Sequence, residues 1–91
     1  MTPHETVAAL AAILTTLDEE PGGAAPSGHL YAALQSADAE AYTLDAYERL
    51  IGIATRAGWI RLAGFHLVEI TASGRSKVAQ INALLNSRDG G

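Results

Sequence analysis

The chain has 91 residues, 48% of them hydrophobic, no cysteine and a formal net charge of −4. That length defines one domain able to bury a core without metal or disulfide support, and the missing cysteine excludes a disulfide framework and any thiolate site. The apolar run from Val7 to Leu14 is too short to cross a bilayer and lacks the basic flank of a signal peptide, so a soluble, cytoplasmic protein with no membrane partner is the expectation.

From Pro3 to Leu17, Val7, Leu10, Leu14 and Leu17 recur at helical spacing, with Thr2 as N-cap ahead of Pro3 in the first turn. The opposite side carries Ala8, Ala9 and Ala12, with Glu5 and Thr16 as its polar cover. Such small side chains let a second helix approach closely, which makes Ala8 and Ala12 candidates for a partner contact. Alanine also simply favours helix and tolerates water. Residues 18–27, DEEPGGAAPS, read as a loop. The stretch from Gly23 to His29 imitates a phosphate-binding loop, but His29 stands where the lysine is needed, so no nucleotide site is expected.

Ser27 is positioned to cap a second helix, GHLYAALQSA, with Leu30, Ala33, Leu34 and Ala37 inward. Thr43 then caps a third, in which Leu44, Tyr47, Leu50, Ile51 and Ala54 share one face, and Gly58 ends it in a left-handed conformation. Arg49 and Arg56 project nearly opposite that face, toward solvent or a ligand, and Asp45 stands four residues before Arg49 as an ordinary surface pair.

After Gly58 the pattern alternates, predicting strands Trp59 to Leu62 and Phe65 to Thr71 joined by Ala63-Gly64. A two-residue loop puts Ile60, Leu62, Phe65 and Leu67 on one face and Trp59, Arg61, His66 and Val68 on the other. Val68 and Ile70 compete with the first set for the core, and a bulge near the turn would reconcile them. Thr71 or Ser73 caps a fourth helix with Val78, Ile81, Leu84 and Leu85 inward, and residues 87–91 form a tail expected to fray.

The order helix, helix, helix, hairpin, helix resembles the winged helix-turn-helix domains of small bacterial transcription regulators. Three matches carry the resemblance, which spans about residues 4 to 86: LYAAL (Leu30 to Leu34), RAGWI (Arg56 to Ile60) and EITASGR (Glu69 to Arg75). The fold it implies is mainly α with a small β-hairpin, as one winged-helix domain over residues 1–91. The function it implies is a homodimeric DNA-binding regulator or accessory factor, paired through its first and last helices. Its third helix would dock in a groove of double-stranded DNA. In that arrangement Tyr42, Thr43, Asp45, Ala46, Arg49 and Arg56 lie toward the duplex and Arg61 and His66 occupy the wing, with Lys77 a further basic contact.

This chain departs from what a duplex requires. Residues 1–42 carry six acids and no Lys or Arg, and every basic side chain lies in the second half. Asp45 and Glu48 open the third helix and the wing tip, Leu62 to Phe65, is apolar. The alternative is a protein-interaction module that does not bind DNA, using Trp59, Phe65, Ala8 and Ala12. His4, His29 and His66 lack zinc-ligand spacing and no nucleophile elbow is present, so neither metal, cofactor nor catalysis is expected.

Overall fold

The computed structural model describes residues 3–64 and 66–90, with side chains as far as Leu84. Helix α1 spans Pro3–Glu19, and a short 3-10 turn, Pro21–Gly23, leads into strand β1, Ala24–Pro26. Helices α2 (Ser27–Ala37) and α3 (Leu44–Arg56) follow, then β2 (Ile60–Leu62), β3 (Leu67–Ile70) and α4 (Ala72–Gly90). The fold is mainly α with a small three-stranded antiparallel sheet in the order β1-β3-β2.

The third strand corrects the reading of residues 18–27 as a loop. Asp18 and Glu19 finish α1, and Gly22 and Gly23 turn the chain at positive φ so that Ala24, Ala25 and Pro26 pair with Glu69, Val68 and Leu67. Only glycine fits at 23, because a Cβ there would fall 2.9 Å from Ile70 Cγ2 and against the Arg75 guanidinium. Arg75 Nη1 in turn donates to Asp18 Oδ1 at 2.7 Å, tying α4 to the end of α1.

The core gathers Leu10, Ile13, Leu14 and Leu17 of α1, Leu30 and Leu34 of α2, Tyr47, Leu50 and Ala54 of α3, and Ile60, Val68, Ile70 and Val78. Ala9 belongs to it as well, since the buried stripe of α1 is centred nearer Ile13 and Leu17 than the Val7 line suggests. Val7 lies about 90° from that centre in a helical projection, and it is 59% exposed. Leu84 is likewise not inward. Six residues beyond Val78 it has rotated about 120° away, leaving it 68% exposed. Thr2 and the side chain of Leu85 lie outside what is described.

Capping follows the sequence at three helix ends and departs from it at one. Thr43 Oγ1 accepts from the Ala46 N–H at 3.2 Å, and Gly58 closes α3 at φ +81° with the Trp59 N–H bonded to the Ala54 carbonyl. Thr71, not Ser73, caps α4: its Oγ1 accepts from the Gly74 N–H at 3.0 Å and donates to the Gly58 carbonyl at 2.5 Å. Ser27 does not cap α2. It is already helical, and its hydroxyl turns to Tyr47 while its N–H reaches the His66 carbonyl at 2.7 Å.

The hairpin register settles the conflict between its two faces. Leu62 pairs with Val68, not Phe65, so the connection is longer than two residues, and the Ala63 N–H bonds to the Leu67 carbonyl. The slip from the two-residue loop is odd, and it exchanges the faces. Ile60 and Leu62 now share a face with Ile70 and Val68, while Arg61 stands opposite Glu69 on the other. No bulge is needed.

Candidate functional site

Several of the residues expected to meet a duplex have partners within the molecule. Arg61 Nε lies 2.5 Å from Glu69 Oε1, directly across the sheet, so its charge is matched within the molecule. The Lys77 ammonium sits 5.3 Å from the centre of the Trp59 ring, a cation-π contact on the seam between α1 and α4. The Thr43 hydroxyl is occupied by its cap. Tyr42 packs against the core, and its carbonyl accepts from Gln35 Nε2.

Arg49 and Arg56 remain on the outer face of α3, exposed and, among the described residues, in no ion pair. The surface pair expected between Asp45 and Arg49 does not form. These side chains border a shallow space of about 540 Å³ with Asp45, Glu48, Gly52 and Ile53. All six come from one helix, so this is an open ridge and not a cleft. Its formal charges cancel.

A second concavity lies between α3 and the hairpin. Its volume is about 420 Å³, and Leu44, Tyr47, Glu48 and Ile51 of α3 face Leu62, Gly64 and His66 across Ser27. Leu44 and Leu62 are 54% and 64% exposed, and Ile51 is partly buried. The floor is polar, with both hydroxyl hydrogens engaged: Ser27 Oγ and Tyr47 Oη are 2.8 Å apart, and the Tyr47 hydroxyl also donates to the Ser27 carbonyl at 3.1 Å. Burial pushes the Tyr47 pKa up, and the Ser27 hydrogen bond opposes that only in part. A neutral phenol is a donor and acceptor to Ser27, not a base. Among the described residues no group of three or more His, Asp or Glu is placed to hold a metal, and no helix is long and apolar enough to cross a membrane.

The sequence placed Leu44 and Ile51 on the core-facing side of the third helix; Ile51 does pack against the core while bordering the groove, and Leu44 is exposed there. The missed signal is the width of the apolar arc on α3, which with Ile53 is broader than one buried stripe needs. Of the residues named for a protein partner, Trp59 is half-buried against the core, Ala8 and Ala12 are exposed, and Phe65 lies outside the described residues. Ala12 borders a small depression of about 80 Å³ with Ala33 and Ala37, which also corrects the expectation that those two alanines point inward.

Comparison with known proteins gives no match to a family model, a curated protein or a solved structure.

Proposed function

We propose that this chain is a winged-helix domain that acts by binding, without catalysis, and that its partner is a protein held against α3 and the hairpin. The fold reading rests on the element order of the resemblance, to which the chain adds β1. The binding reading rests on one observation: the groove between α3 and the hairpin is walled by exposed Leu44 and Leu62 and partly buried Ile51, and no Lys or Arg is among its described lining residues. Phosphates brought there would lose hydration and meet the Glu48 carboxylate. A homodimer through α1 and α4 belongs to the same proposal, supported by exposed Val7 and Leu84 on those helices, as does a cytoplasmic setting.

Duplex DNA is the second reading, favoured by Arg49 and Arg56 side by side on the outer face of α3. Two cations per chain give little phosphate neutralisation, and a dimer only doubles them. Fluorescence anisotropy with a labelled random-sequence duplex at low and moderate salt separates the two readings. The proposal expects no binding tighter than about 100 μM, the weak end of non-specific association. Micromolar binding that weakens steeply with salt and is lost in R49E/R56E would overturn it in favour of DNA.

A further inference from the structure

We infer that the groove between α3 and the hairpin takes a protein segment presenting apolar anchors beside a Lys or Arg side chain. This rests on the protein-binding reading above and adds the chemistry of the partner.

The apolar half of the argument is geometric. Leu44 and Ile51 are seven residues apart on one helix, which puts them on the same side, separated by about 10 Å along the axis. Leu62 faces them from the hairpin and the Tyr47 ring lies in the floor. Because Tyr47 donates to the Ser27 carbonyl and the two hydroxyls bond to each other, both hydroxyl hydrogens are engaged and an incoming segment finds no free donor in that pair. The exposed Leu44 and Leu62 and the partly buried Ile51 therefore reward apolar surface, and the floor offers no hydroxyl donor to compete with it.

The charged half lies at the rim. Glu48 is the carboxylate among the described lining residues, it is exposed, and it enters no ion pair among the described residues. The positions that meet it along the helix, three and four residues away, are Asp45, Leu44, Ile51 and Gly52. None is a cation and one repeats its charge. Arg49 is the next residue in sequence and turns about 100° away. Arg49 and Arg56 border Glu48 on the outer ridge but form no ion pair with it, so a cation from a partner supplies a counter-charge in the groove, and an acidic partner meets the Glu48 carboxylate.

Two synthetic 14-residue peptides test this by isothermal titration at low salt. Both carry leucines at positions i, i+4 and i+7, one with lysines between them and the other with glutamates. The lysine peptide should bind more tightly by up to about five-fold, the upper range for an exposed ion pair. E48K should erase or invert the preference, and L62E should weaken both peptides. Both substitutions fall at exposed positions, and an unchanged thermal midpoint verifies that each variant folds. Equal affinities that L62E still weakens would overturn the cation preference while leaving a protein-binding groove. A preference that survives E48K would overturn it as well. Absence of binding, or binding indifferent to L62E, would overturn both the inference and the reading beneath it, as would a random-sequence duplex that binds while neither peptide does.

Discussion

Alanine at Gly74 and alanine at Gly52 should move stability in opposite directions, although both glycines are helical. Gly52 lies in the interior of α3 and a Cβ there meets nothing within 4 Å, so G52A should stabilise by about 0.5–1 kcal/mol through helix propensity alone. Gly74 is in the first turn of α4, where a Cβ would collide with the Trp59 carbonyl oxygen and fall 2.7 Å from Ile70 Cγ1. That same carbonyl accepts the Thr71 N–H at 2.9 Å, so relief of the collision disturbs the junction between β2 and α4. Overpacking of this kind costs about 1–3 kcal/mol, and loosening the hydrogen bond about 0.5–1.5 more, against a propensity gain of at most about 1. The net loss for G74A is about 1–3 kcal/mol, which in a domain of this size lowers the thermal midpoint by about 5–20 °C. Urea unfolding followed by far-ultraviolet circular dichroism and by Trp59 fluorescence measures both variants. A G74A chain as stable as the parent, or a G52A chain less stable, would refute the packing on which this argument rests.

Three further predictions follow from the same contacts. T71V keeps the volume but removes both the cap on Gly74 and the bond to the Gly58 carbonyl, and should cost about 1–2 kcal/mol in urea unfolding; a change under about 0.5 would mean the cap is idle. The raised Tyr47 pKa stabilises the fold fully below the ordinary tyrosine value of 10.0, and this contribution is lost as pH rises from there through the folded value. Absorbance titration should show one of the three tyrosines ionising late, with a shallower alkaline loss of stability in Y47F; three tyrosines ionising together would contradict the buried phenol. Sedimentation velocity at tens of micromolar should show a dimer that V7E/L84E converts to a folded monomer, and a parent chain already monomeric would remove the interface on α1 and α4.

Most of the framework was legible because it is written in local chemistry. Thr43, Gly58 and Thr71 announce helix ends through hydrogen-bonding and backbone requirements that do not depend on distant residues. The hairpin register was not legible from the same window. Val68 and Ile70 can join Ile60 in the core only if the loop lengthens, and that choice is made by packing against the helices. Strand β1 was hidden for a similar reason: AAP has little intrinsic strand propensity and pairs because Gly22 and Gly23 deliver it to the edge of β3. At the candidate site the sequence revealed the basic residues but not their engagements. Arg61 becomes the partner of Glu69 only in the realised register, and Leu44 leaves the core only once α3 is seated.

The most direct test of the central claim is a residue-resolved one: amide spectra of the isotope-labelled chain, recorded at low salt with the lysine peptide and separately with a random-sequence duplex. The account predicts that the peptide moves the amides of residues 44, 47, 48, 51, 62 and 64 while the duplex leaves α3 unmoved. Salt-sensitive shifts of residues 49, 52 and 56 with the duplex, and none in the groove with the peptide, would contradict it.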